Sequence, residues 1–565
     1  MSLAGRKNND ITQNIEINNS SKYTKKYLEC RKNELKQTFE YIKSDLQELA
    51  DYFCPNSVRF IARNVNKKRV RSKKILDSTT LLAVRNFAAG MMTGATSPTR
   101  RWFKTSVLNK DIEINYEVKD WCAKQAELSR RILYASNFYQ LLPAIYSQLA
   151  VFLFSAVGLE SDYETVVNFK CLPIGSYYYS KDHRGVIDTL YRTYMESAKN
   201  IVNQFGEENC SEKIKNAAKE RPNELYEIIH AVEPNMEYIK GSPINYQKRF
   251  ISIYYETGEG EKFLRKSGFN HFPYVVFEAS CNGEDIYPSI GLGADALPDA
   301  KQLMAMVKEF AKAVKKMVTP AYNAPPSLKN KNLSDLPGSF NELDENGNGL
   351  KPVYEVPPRL LELNNTIEDI RNKIKSLFYN DLFAMILNTA ERGRTATEVN
   401  ELKEEKMVLL SPLLEQIHIA LKRILDWLFE EEIRTGILPP VPEELEGQEI
   451  EIEFVSTLAQ AMKAQNIASM ERFTTFVANM ANSLDPVLAK KINGEKMIDD
   501  YADYANIDPS QILPTKELEK IRQAMQQKQE QAEQMAALQQ GGQFIKNMGG
   551  ADAFGNELMA RLGQA

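Results

Sequence analysis

Apolar residues recur along this chain mostly at helical intervals. Between Tyr23 and Phe53 the positions Leu28, Leu35, Phe39, Ile42, Leu46, Leu49 and Phe53 keep to one helical face, and Pro55 follows, which predicts one amphipathic helix ending there. From Asp299 to Val318, Leu303, Val307, Phe310, Val314 and Met317 form a single apolar seam. At 100° per residue Lys301, Lys308, Lys312 and Lys315 fall on the opposite face of a helix roughly 30 Å long. Helical spacing returns at Ile367, Ile370, Ile374 and Leu377 and runs to about Leu387. Thr395 with Glu398 three residues on is a capping box, the start of a helix to about Arg434 that Pro412 should kink and Gly436, Pro439 and Pro440 should stop. From Thr457 onward the pattern is nearly all helical, ending in a Gln-rich helix over Thr515 to Gln540.

Strand signals concentrate between residues 150 and 295. Val166, Val167, Phe169 and Cys171 precede one strand set, Asp182 to Gly185 reads as a hairpin turn before Val186 to Tyr194, and Arg249 to Glu256 and Phe272 to Ala279 add further runs. Helical material is expected around Ala198 to Val232, so this region reads as mixed α+β. After Val318, Pro320, Pro325, Pro326, Pro337, Pro352, Pro357 and Pro358, with Gly338, Gly347 and Gly349 between them, exclude a long helix.

At 565 residues, 43% hydrophobic and 26% charged, the composition is that of an ordinary soluble protein of several domains. The net charge of −4 conceals segregation. Arg59 to Lys74 holds eight cations and no acid, and Glu430 to Glu453 is strongly acidic. The basic run lacks interleaved aromatics and a reading module, so taken alone it reads as a solvated loop ahead of a nucleic-acid contact. Six scattered cysteines without a CxxC pair, together with four histidines, argue against a disulfide framework or a zinc site and for a reducing compartment. The polar stretch Met1 to Ser21 carries no signal-peptide core. Leu141 to Leu159 runs nineteen residues without a charge but contains Pro143, Ser147, Gln148 and Ser155, which favours a buried helix followed by a strand over a membrane span.

Candidate chemistry is sparse. Asp344, Asn346, Asn348, Gly349 and Glu355 match a calcium-loop pattern, but only two carboxylates are present, Lys351 and Pro352 occupy ligand-side positions, and no helices flank the loop. It reads as a tight turn, and no metal or cofactor is expected. There is no Walker loop, nucleophile elbow or H-x-x-H pattern, and His418 inside the long helix reads as packed and not as a base, so an enzyme is not expected. The lysine face has a plain reading as a solvated helix surface. Against it, the Asp299 to Tyr322 helix carries five lysines and two acids, with four of the lysines aligned.

Asp77 stands ahead of the Ala-rich helix Ser78 to Met92 as a cap, and Thr96, Ser97, Pro98, Thr99, Arg100, Arg101, Trp102 and Phe103 lead through a turn into a strand. That combination resembles the portal, or head-to-tail connector, proteins of short-tailed, podovirus-type bacteriophages. The resemblance continues in order through Ala296 to Asp299, Pro320 to Pro326, Thr395-Ala396-Thr397-Glu398-Val399 and Phe454 to Ala459, and covers roughly Tyr23 to Gln540. It departs at Thr457, where the family pattern has proline, and at a loose Tyr287 to Gly293 turn.

The resemblance implies a mainly helical α+β portal fold assembled as a twelve-membered ring. It implies a polar tail at residues 1–22, a wing at 23–295, a first stem helix at 296–321 and a clip at 322–363. A second stem helix at 364–387, a tunnel loop at 388–395, a long kinked wing helix with a return strand at 396–456 and a helical crown at 457–565 would follow. It further implies passage of double-stranded DNA of any sequence, with Lys301, Lys308, Lys312, Lys315, Arg392 and Arg394 as channel residues. Partners would be a terminase motor, major capsid and scaffolding proteins and tail adaptor proteins, at the portal vertex of the virion after assembly in the host cytoplasm. Gly393 between the two arginines suits an adjustable loop, and an ordinary inter-helix turn is the alternative reading. Two other classes stay open on the residues alone: a subunit of a nucleic-acid-processing enzyme, and a membrane pore built around Leu141 to Leu159.

Overall fold

The computed structural model describes residues 22–60, 74–107, 116–258, 262–280, 284–323, 351–353, 360–387, 396–445 and 447–456, with scattered residues between 325 and 349 and shorter stretches from 458 onward. The chain divides into two compact units, one of residues 1–105, 124–440 and 452–462 and another of 106–123, 441–451 and 463–565.

The first helix, α1 (Lys25–Phe53), starts where the Thr24 side chain accepts the Tyr27 N–H at 3.2 Å. Its seam Leu28, Leu35, Phe39, Leu46, Leu49 and Phe53 is buried, with Phe39 edge-on to Tyr178 and Tyr287. Helix α2 (Thr79–Gly94) is lined with Ala83, Ala88, Gly90 and Gly94, which lets neighbours approach closely. A Cβ added to Gly90 would lie 2.2 Å from Cγ of Phe383, and one on Gly94 would lie 2.8 Å from Cγ of Leu458. After α2 come strand β1 (Phe103–Val107), α3 (Tyr116–Ala135) and α4 (Phe138–Phe152).

Helix α4 stops at Leu153, held at φ 71°, and strand β2 (Phe154–Asp162) begins at once. The uncharged stretch is thus a buried helix followed by a strand. Among the described residues no helix is long and apolar enough to cross a membrane.

Strands β3 (Val166–Cys171) and β9 (Tyr274–Glu278) flank β2 in an antiparallel sheet ordered β3-β2-β9. A five-stranded antiparallel sheet follows the order β4 (Tyr177–Lys181), β5 (Ile187–Ser197), β6 (Leu225–Pro234), β7 (Phe250–Glu256), β8 (Arg265–Phe269). The expected hairpin turn joins β4 to β5, with Asp182 accepting the N–H groups of Arg184 at 2.8 Å and Val186 at 2.9 Å. Helices α5 (Ala198–Phe205) and α6 (Glu212–Glu220) lie between β5 and β6. The helical expectation for Ala198 to Val232 is therefore corrected at its C-terminal third. Leu225 to Val232 belongs to β6, the centre of the sheet, where Ile228, Ile229 and Val232 are buried and both backbone edges are paired.

Helix α7 (Leu292–Val318) begins earlier than the seam alone indicated and runs through Pro298. Gly293 permits this start, since a Cβ there would lie 2.3 Å from the Val151 carbonyl oxygen. Two short strands, β10 (Tyr322–Asn323) and β11 (Lys351–Pro352), pair antiparallel and close the Pro-rich excursion at its base. The next helical stretch is two helices, α8 (Leu360–Leu377) and α9 (Asn380–Leu387), and not the continuous one expected. Tyr379 at φ 55° breaks it.

Helix α10 (Ala396–Thr435) carries Pro412 within it and buries Leu410, Leu414, Ile417, Leu421, Ile424, Leu425 and Leu428. It ends as expected at Gly436, φ 71°, whose N–H donates to the Glu432 carbonyl at 3.1 Å. Strand β12 (Ile450–Phe454) pairs with β1. In the second unit the described residues 470–480 and 520–529 are helical, and the Tyr501 hydroxyl donates to Glu471 at 3.2 Å.

Candidate nucleic-acid interface

The two halves of α7 have different surroundings. Gly293, Ala296, Asp299, Ala300, Leu303 and Met304 are buried, and no residue of the helix is buried beyond Met304. The N-terminal half is seated in the core, and the C-terminal half keeps only Val307, Phe310 and Val314 half-buried along the seam. On the opposite face Lys301, Lys308, Lys312 and Lys315 are all exposed, within an arc of about 60°.

Their charges are not equivalent. Lys301 reaches Glu48 of α1 at 2.8 Å, and Lys312 pairs with Glu309 one turn back at 2.6 Å. Lys308 and Lys315 have no carboxylate partner among the described residues. Lys301 is thus a strut to α1, whereas the outer lysines offer their charge to solvent. An exposed i,i+3 pair such as Lys312–Glu309 is readily exchanged for a phosphate, because surface pairs are worth only about 0–1 kcal/mol.

The base of the α7–α8 pair is held by carboxylates. Asp77 does more than the capping expected of it. Its Oδ1 accepts the Thr79 N–H at 2.8 Å, and its Oδ2 accepts Arg371 Nε at 3.0 Å and a second guanidinium nitrogen at 2.5 Å. Burial alone would raise the Asp77 pKa, but the hydrogen bonds from Thr79 and Arg371 outweigh it and hold the carboxyl below the usual range. Lys373 of α8 reaches Asp299 of α7 at 2.8 Å, and Arg371 also meets Glu368 at 2.6 Å. Arg371 and Lys373 were missed in the sequence. Their only signal there is that an arginine and a lysine two residues apart flank the buried Ile374 seam.

The remaining motif residues act in packing. Trp102 is buried, its Nε1–H donates to the Tyr139 hydroxyl at 3.1 Å, and its ring lies parallel to Phe138 and Phe454. Phe103 meets Trp102 edge-on at 4.6 Å, and the Trp102 carbonyl accepts the Val455 N–H at 2.9 Å. Ser97 is buried with its hydroxyl 3.1 Å from that of Thr99, Pro98 is half-buried, and Arg100 is exposed.

His418 stacks on Phe454 at 4.1 Å, and burial depresses its pKa to about 4, so it is neutral and packed. Thr397 and Glu398 lie in the first turn of α10, with side chains outside the described residues. Thr395, Arg392, Arg394, most of the 344–355 loop and most of the basic run Arg59 to Lys74 also lie outside them. Among the described residues no group of three or more His, Cys, Asp or Glu is placed to hold a metal ion.

This arrangement, a helix pair pinned at its base with an outward row of ammonium groups, suits contact with a polyanion. The family model described as bacteriophage head to tail connecting protein matches residues 25–513. The chain belongs to that family. A portal protein of Salmonella phage epsilon15 is 33% identical over 520 residues, covering 91% of this chain and 93% of the relative. A probable portal protein of Bordetella phage BPP-1 is 33% identical over 534 residues, covering 94% and 96%. A solved chain from the neck of an empty gene transfer agent particle aligns over 69% of this connector chain and 85% of its own, at 13% identity and a TM-score of 0.35, too loosely to bear on the fold.

Proposed function

We propose that this connector protein is a structural portal that assembles as a ring, of twelve copies, at one vertex of the capsid. Double-stranded DNA enters and leaves through its axial channel, driven inward by a separate terminase motor. The α7–α8 pair is the stem, the segment closed by β10 and β11 the clip, and residues 388–395 the tunnel loop. Capsid and scaffolding proteins meet the ring during assembly, and tail adaptor proteins meet it afterwards. Family membership and relatives named portal proteins support this reading. The observation that carries the DNA contact is the exposed face of Lys308, Lys312 and Lys315 opposite a packed seam. A passing duplex needs attraction to phosphate without base readout, and a row of flexible ammonium groups supplies that.

The test is the purified protein under negative stain and by solution mass. Rings with a central hole, of mass several times 64.4 kDa, are the expected result. A monodisperse monomer at every concentration would overturn the reading.

A further inference from the structure

The junction between α8 and α9 carries two local costs at adjacent residues. Tyr379 sits in the left-handed region at φ 55°, a conformation rare for a bulky side chain. Next to it, Oδ1 of Asn380 is buried without a hydrogen-bond partner among the described residues. The backbone shows how the chain turns there. The Phe378 N–H donates to the Ile374 carbonyl at 3.2 Å, Tyr379 N–H shortens to Ser376 at 3.0 Å, and the Tyr379 carbonyl then accepts Phe383 N–H at 3.1 Å to open α9. Costs of this kind persist where surrounding contacts impose them.

Two contacts do so. The Tyr379 hydroxyl donates to the Leu409 carbonyl of α10 at 3.1 Å. That carbonyl lies three residues before Pro412, where the missing proline N–H leaves the helix ladder open at Val408. On the other side Phe383 rests on Gly90, with its ring edge-on to Phe87 at 5.9 Å. Helix α9 is therefore clamped between a side-chain-free spot on α2 and a proline-loosened turn of α10.

We propose that Phe378–Tyr379 is the hinge of a two-position lever, with α9 as the arm and the Tyr379–Leu409 hydrogen bond as the catch that holds the position observed. Release of the catch lets Tyr379 leave the left-handed region and Asn380 find a partner, so the second position recovers what the first one costs. Helix α9 is the last element before residues 388–395. Any consequence for the channel rests on the portal reading above, whereas the hinge itself does not.

The experiment is hydrogen exchange on the assembled full-length protein. Tyr379→Phe keeps the ring and removes the catch. Amides of 380–387 should then exchange about fivefold faster, the factor that removal of one hydrogen bond brings, with 363–377 unchanged. Pro412→Ala restores an N–H at 412, draws the loosened turn of α10 back into register and should likewise speed exchange in α9. Unchanged α9 exchange in both variants, or equal acceleration in α8 and α9, overturns the lever. DNA packaging by Tyr379→Phe rings separates the two ideas. Faster α9 exchange with normal packaging would leave the hinge standing and remove α9 from the channel machinery.

Discussion

Asp77 shows how one carboxylate can serve two elements, capping α2 and fastening α8 through Arg371. Asp77→Asn keeps the shape but leaves the guanidinium with Glu368 alone, and should cost about 1–3 kcal/mol by thermal unfolding. Because the folded pKa is depressed, this contribution is present above the unfolded value of about 3.9 and is lost as pH falls through the folded one. Glu432 runs the other way. It is fully buried, accepts the Ser129 hydroxyl at 2.5 Å and the Gln125 amide at 2.9 Å, and burial, only partly offset by those bonds, raises its pKa. Between the unfolded value of about 4.3 and that raised value the folded state holds the extra proton, so stability falls as pH rises through this window. Asp426 and Glu430 on the same helix act in the same direction, with Glu430 pushed up to about 7 by burial beside Asp426 and Glu431. Glu432→Gln should therefore narrow the difference in unfolding temperature between pH 5.5 and pH 8. An undiminished difference would place the dependence elsewhere.

At the scale of elements, α7 divides into a seated half and an outer half, and the lysines divide with it. Replacing Lys308, Lys312 and Lys315 together by Gln should weaken binding of double-stranded DNA of any sequence and flatten its dependence on log salt by about 0.9 for each phosphate no longer neutralised. Lys301→Gln should leave that slope alone and loosen α1 against α7, because its charge is already met by Glu48. If Lys301→Gln changes the slope as much as the triple variant, the division of the stripe is wrong. The seam and the opposite lysines were legible because helical periodicity is local. The start of α7 was not, since the apolar seam is readable only from Asp299 on, while the close approach of Gly293 to Val151 lets the helix begin at Leu292. Nor was β6, whose apolar residues suit a helix or a strand until β5 and β7 pair with both its edges.

For the whole molecule, the portal reading puts Arg392 and Arg394 on the wall of the channel. Arg392→Ala with Arg394→Ala should leave rings intact by mass and negative stain while reducing the DNA packaged or retained per particle. Rings that fail to form would instead make residues 388–395 an assembly contact.

Sequence alone determined the family, through an ordered series of motifs from Asp77 to Ala459, and with it the mainly helical α+β class. It also determined the amphipathic faces of α1, α7 and α8, because each depends only on spacing along the chain. Tertiary structure decided which charges are spoken for: Lys301 by Glu48, Lys373 by Asp299, and Arg371 by an Asp77 that lies 294 residues away. It also decided that the helical stretch from Leu360 to Leu387 breaks at Tyr379, where a hydroxyl finds a carbonyl three residues before Pro412 on another helix. Pairings across such separations depend on where the packed core brings the helices, and no local pattern carries that information.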